Sequence, residues 1–198
     1  MYLKDKKVLV FGLGITGLST IKALSILGAD IVICDSKDKV ALKDTLCMIK
    51  DLPVQTYLGT NDIDLTGIDL IIKSPGIPPF VNILKKAKDN NIEVITDIEF
   101  AYRLWSRNKF VAITGTNGKT TCSILTGKIF EKAKYKTHVV GNIGTGILNE
   151  IMDSSVDDIF VIEASSFQLE HTKSFKPNIG LITNITPDHL DWHGTFES

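Results

Sequence analysis

A chain of 198 residues, 43% of them hydrophobic, has the length and apolar content for one large or two small globular domains with a true core. The 22 Lys and Arg against 23 Asp and Glu leave a net charge of −1, which gives no field for steering nucleic acid or an anionic membrane surface, so an anionic ligand must be held locally. No apolar stretch is long enough to span a bilayer, no signal-peptide cleavage pattern follows Met1, and Cys34, Cys47 and Cys122 lack metal-ligand spacing; together these predict a soluble, cytoplasmic protein without membrane insertion.

Short β-branched runs alternate with longer amphipathic segments, which predicts an α/β chain of parallel sheets and crossover helices. The first expected strand, Lys7–Phe11, runs into "FGLGITGLS", where Gly12, Gly14 and Gly17 make a G-x-G-x-x-G turn that opens a helix. Such a turn brings backbone close to a phosphate and aims a helix N-terminus at it. A second strand, Ile31–Cys34, leads to Asp35. This pattern fits a nucleotide, whether a nicotinamide dinucleotide or another. Further strands are expected at Val54–Leu58, Leu70–Lys73 and Ile92–Thr96. "KSPGIPPF", residues 73–80, carries three of the six prolines and reads as a rigid loop at a strand end. "DIEFAYRLWSRN", Asp97–Asn108, predicts a helix that contains a domain boundary, giving a Rossmann-like domain over residues 1–98 and a second domain over residues 99–198.

The second domain is expected to place strands at Phe110–Thr114, Thr137–Val140, Ile159–Glu163 and Ile179–Thr183. After the first of these, "TGTNGKTT" supplies Gly115, Thr116, Asn117, Gly118, Lys119, Thr120 and Thr121. The glycines let backbone N–H groups converge on an anion, Lys119 adds a full charge, and the Thr120 hydroxyl stands where Mg²⁺ would be ligated. The strict P-loop pattern is not met, because Ile113 occupies the position of its first glycine. Strand, loop and helix together still point to a triphosphate site. Glu163 ends one strand, Asn142 follows another, and "LITNITPDHLDWH" carries His189 past a third. Ligands of open α/β sheets sit beyond the carboxyl ends of strands, so Lys119, Glu163 and His189 are expected there.

The motifs "GLGITGLS", "SPGI", "ITGTNGKTT", "GNIG", "EASSFQLE" and "NITPDHLD", in this order, resemble the Mur ligases across the whole chain. "SSFQLE" favours the branch that joins D-glutamate to UDP-N-acetylmuramoyl-L-alanine. The resemblance implies an N-terminal domain for the UDP portion and a P-loop-type ATPase domain, truncated here because the chain stops at "HGTFES" without a helix end. It also implies that Gly14, Ile15 and Thr16 face the UDP diphosphate, that Asp35 and Ser36 face the uracil side, and that Gly76 contacts the same nucleotide. Lys119 would contact ATP phosphates, Thr120 and Glu163 one Mg²⁺, His189 a second, and Asn142 the muramoyl substrate. The carbamylated lysine that completes the second metal site in the family would lie past Ser198. The implied reaction is ATP-dependent amide formation through an acyl phosphate, by a protein that is monomeric at full length, with this part binding but not ligating. Two rivals are an NAD-dependent dehydrogenase and a nucleotide-binding module that turns over nothing.

Overall fold

The computed structural model describes residues 2–198. The chain divides into two units between Phe100 and Ala101. The first runs β1 (Lys7–Phe11), α1 (Ile15–Ile26), β2 (Asp30–Asp35), α2 (Lys43–Cys47), β3 (Val54–Leu58), β4 (Leu70–Lys73), α3 (Asn82–Asp89) and β5 (Glu93–Ile95), and α4 (Asp97–Leu104) crosses the division. All five strands are parallel, in the order β3-β2-β1-β4-β5. An unbroken apolar run such as Val8–Phe11 is accommodated where both faces of a sheet are covered. Leu9, Phe11, Val32 and Ile71 pack with Ile83, Leu84 and Ala87 of α3. Val8, Val10, Ile31 and Ile33, equally buried, project from the other face, where Gly17 of α1 lies against Val10. Cys34 is a core residue whose thiol is pushed up to about 11 by burial and by the Asp35 and Asp62 charges, so it stays protonated and inert.

The sequence predicts a helix to Asn108, but α4 ends at Leu104. Asn108 explains the early stop. Its N–H closes a turn on the Trp105 carbonyl at 3.0 Å, and its buried side chain donates to the Ser155 carbonyl at 2.7 Å, a long-range bond that holds the chain in this turn rather than in a further turn of helix.

The second unit runs β6 (Lys109–Thr114), α5 (Lys119–Lys132), β7 (Thr137–Gly141), α6 (Ile147–Ile151), β8 (Ile159–Glu163), α7 (Ser166–Leu169), β9 (Ile179–Ile182) and α8 (Leu190–His193). Its four strands are parallel, in the order β7-β8-β6-β9. β8 is buried throughout, whereas all four residues of the edge strand β9 are exposed. Cys122 and Phe130 of α5 pack on Val111, Ile113 and Val161. Among the described residues no helix is long and apolar enough to cross a membrane.

The amino edge of this sheet is held by charge. His138 of β7 stacks on Phe160 at 4.7 Å and bridges Glu150 and Asp158, each at 3.0 Å. Burial works against the charged form of Asp158, but bonds from Lys136, His138 and Ser155 outweigh it and hold the carboxyl below the usual range. A depressed carboxylate contributes stability that is complete above its unfolded value, near pH 4, and is lost as pH falls through the folded one. We therefore expect Asp158→Asn to cost about 1–3 kcal/mol at neutral pH and to flatten the loss of stability below about pH 4, as read by urea unfolding across pH. Parallel pH profiles for the two proteins would contradict this.

Candidate functional site

In the first unit, Phe11 of β1 lies opposite Cys34 and Lys73, so the loops after β1, β2 and β4 gather at one sheet edge. The chain order reverses there, the usual place for a ligand in such sheets. Each glycine of the first loop has its own reason. Gly12 adopts φ +99°, and a Cβ on Gly17 would stand 2.0 Å from the Gly12 carbonyl oxygen, so these two let helix and loop touch. Gly14 has open space around it. Ile15 is 72% exposed, and Gly14, Ser36 and Gly76 are exposed too. Thr16 is half-buried, with its carbonyl accepting from Ser19 and Thr20.

Asp35 is buried, and backbone takes up both of its oxygens: Leu13 N–H donates to Oδ2 at 2.6 Å and Lys37 N–H to Oδ1 at 2.8 Å. The carboxylate ties the glycine loop to the end of β2. The loop after β4 is tied as well. Ser74 donates from its hydroxyl to the Gly12 carbonyl at 3.0 Å and from its N–H to the Phe11 carbonyl at 2.8 Å. Lys73 is fully buried and donates to the Ile77 carbonyl at 2.8 Å, holding the proline-rich loop from inside. Sequence reasoning missed Lys73 and Ser74. The only signal was a lysine at the end of an apolar strand.

In the second unit β6 lies between β8 and β9, and its carboxyl end opens into the loop Gly115–Gly118. Gly118, at φ +83°, is the N-cap of α5, and no side chain caps that helix. Its first N–H groups therefore remain free for an anion. Lys119 turns back into the loop and donates to the Gly115 and Thr116 carbonyls at 2.8 and 2.9 Å, while Thr120 and Thr121 are exposed in the first turn.

Glu163 closes β8 opposite Ile113. Its side chain is buried, Oε1 accepts from the Asn142 amide at 3.1 Å, and Oε2 is buried without a hydrogen-bond partner. A buried carboxylate oxygen left bare is costly unless something binds it. The structure thus brings together Asn142 and Glu163 beside the strand that carries the phosphate loop. His189 is placed differently. It lies at φ +51° before α8, with its side chain 56% exposed and Nε2 3.6 Å from Asp188, and packs against Phe167 at 4.9 Å; no hydrogen bond joins it to Lys119 or Glu163.

Among the described residues no three His, Cys, Asp or Glu side chains cluster as a metal site. A hard cation here would need hydroxyl, phosphate and water ligands to complement one carboxylate, which suits Mg²⁺. The bare Oε2 of Glu163 fits that ion. The run "SSFQ" has a structural meaning of its own. Ser165 and Gln168 form a capping box at the start of α7, which holds the turn after Glu163.

Comparison with known proteins gives one answer for both units. The Mur ligase MurD-like N-terminal domain matches residues 6–96, and the Mur ligase middle domain matches residues 113–198. The UDP-N-acetylmuramoylalanine--D-glutamate ligase of Alkaliphilus oremlandii is 45% identical over 201 residues, and that of Caldanaerobacter subterraneus 47% over 199. Both alignments take in 100% of this chain and 44% of the relative, so the chain spans less than half the length of these relatives. Among solved structures, the UDP-N-acetylmuramate:L-alanyl-gamma-D-glutamyl-meso-diaminopimelate ligase from Neisseria meningitides superposes with a TM-score of 0.58 at 18% identity, over 98% of this chain and 64% of that one. MurC from Thermotoga maritima gives a TM-score of 0.52 at 19% identity, over 96% and 44%. At these identities the structures speak for the fold alone. Two parallel sheets, each opening a glycine loop at its carboxyl edge, and two domain models that between them take in most of the residues lead to one assignment: the chain belongs to the Mur ligase family, with its MurD-like N-terminal domain and its middle domain.

Proposed function

We propose that the protein of which this chain forms part joins D-glutamate to UDP-N-acetylmuramoyl-L-alanine at the expense of ATP, in the cytoplasm and as a monomer. The observation that carries this reading is the 45–47% identity over the whole chain to proteins named for that ligation. The first unit holds the UDP portion, with Gly14, Ile15 and Thr16 at the diphosphate and Ser36 and Gly76 beside it. Asp35 acts through the loop that it ties. The second unit holds the phosphates of ATP on Gly115–Thr121, with Asn142 toward the muramoyl portion.

A carboxylate is a poor acylating agent because its oxygen leaves badly. Its oxygen therefore attacks the γ-phosphorus, ADP departs, and the amine of D-glutamate then attacks the acyl carbon, expelling phosphate and losing a proton. Side chains do little covalent work in such a transfer, and positioning with charge stabilisation carries it. Lys119, freed from the two loop carbonyls, stabilises the transferring phosphoryl group. Glu163 and Thr120 would hold one Mg²⁺ and His189 a second, and the ions would neutralise charge on the phosphates. Glu163 is kept aimed by Asn142.

Calorimetric titration tests the first unit. We expect heat on adding UDP-N-acetylmuramoyl-L-alanine and none with NAD. An NAD response without a UDP response would overturn the reading in favour of a dinucleotide enzyme.

A further inference from the structure

Among the described residues the loop after β9 makes the closest set of bonds to the phosphate loop, and this points to a residue outside the phosphate-loop motif itself. Asn184 grips Asn117 at both of its backbone groups. Its Oδ1 accepts from Asn117 N–H at 3.0 Å, and its Nδ2 donates to the Asn117 carbonyl at 2.8 Å. Thr183 donates to the same carbonyl at 2.7 Å. The Asn184 carbonyl accepts from Thr116 N–H at 3.1 Å, and Thr116 and Thr186 exchange two bonds of 3.0 Å through the Thr116 hydroxyl. The approach is so close that a Cβ on Gly115 would stand 2.2 Å from the Thr183 hydroxyl.

Peptide planarity gives these bonds a direction. In a trans peptide the carbonyl and the following N–H point opposite ways. With the Asn117 carbonyl turned to Thr183 and Asn184, the Gly118 N–H must point away from them, at the start of a helix that no side chain caps. The same rule turns Thr116 N–H and Asn117 N–H out to Asn184, because the Gly115 and Thr116 carbonyls face Lys119. One asparagine thus sorts the loop's polar groups into those spent on the fold and those left for an anion.

We infer that Asn184 is a positioning residue for the phosphate loop, acting through Asn117 and Gly118 so that the loop is set before a triphosphate arrives. The inference rests on the reading of this loop as an ATP site. A loop that holds its binding conformation only part of the time binds more weakly by that fraction. Loss of the clamp is therefore expected to weaken ATP by about tenfold, the equivalent of one or two modest hydrogen bonds. AMP, which lacks the outer phosphates, should be spared.

Asn184→Ala and Asn184→Asp separate the two halves of the clamp. Aspartate keeps an acceptor for Asn117 N–H but sets a carboxylate against the Asn117 carbonyl. Amide hydrogen exchange at Asn117 should speed up in the alanine variant and stay slow in the aspartate one. ATP affinity should fall in both, with AMP affinity and the unfolding midpoint unchanged. Unaltered Asn117 exchange in Asn184→Ala, or equal losses for ATP and AMP, would overturn the inference. Failure of the unsubstituted chain to bind ATP would instead overturn the nucleotide reading, and the exchange measurement would then still decide whether the clamp exists.

Discussion

Lys119→Ala is expected to weaken ATP binding by about ten- to a hundredfold, which is what loss of a charge-assisted hydrogen bond of about 1.5–3 kcal/mol implies. AMP affinity should be unchanged, since the ammonium is read as contacting only outer phosphates. The Lys119 ammonium donates to the Gly115 and Thr116 carbonyls. Those carbonyls are neutral acceptors, and a phosphate is an anion, so the exchange of partners favours the ligand. The variant should also keep its fold, because Lys119 is half-buried at a loop edge and water can reach the two carbonyls it leaves. Isothermal titration with ATP and AMP measures the split. Equal losses for both nucleotides would place the lysine outside the phosphate site.

Gly17→Ala should cost about 3 kcal/mol or more, the upper end for forcing an extra carbon into packed structure. The new Cβ would sit 2.0 Å from the Gly12 carbonyl oxygen and 3.0 Å from its carbon. Both are backbone atoms, and Gly12 itself is pinned by the Ser74 hydroxyl on its carbonyl and by its own N–H on Cys34. Relief would require pulling α1 off β1. Gly14→Ala makes the contrast, with no atom within 4 Å of the added Cβ and an ordinary φ of −74°. It should leave stability within about 0.5 kcal/mol and instead weaken the UDP ligand, whose diphosphate is proposed to take that open space. Urea unfolding read with UDP titration on both variants checks this. A Gly17→Ala chain as stable as the original, or a Gly14→Ala chain with full UDP affinity, would refute the division of roles.

All nine strands expected from β-branched runs are present, each end within one residue of the expected one. The clearest are β1, β4 and β8, buried along almost their whole length, because strands covered on both faces need continuous apolar sequence. The glycine loops were legible for a similar reason. Positive φ at Gly12, Gly115 and Gly118 is a local demand that few other residues meet. The end of α4 was not legible, since it depends on Asn108 finding the Ser155 carbonyl 47 residues away.

The sequence by itself determined the alternation of strand and helix, the glycine turns and the charges at the strand ends, all of which are matters of local chemistry. Tertiary structure decided which of those charges are free to act. Asp35 and Glu163 look alike in sequence, each a carboxylate closing an apolar strand. Folding commits both oxygens of Asp35 to backbone N–H groups, yet leaves Glu163 Oε2 bare. Likewise Asn184 reads as a loop residue until β9 comes to lie beside β6 and brings it to Asn117, 67 positions away. A hydrogen bond is settled by where two groups lie in space, and strand order, which no single segment encodes, puts them there.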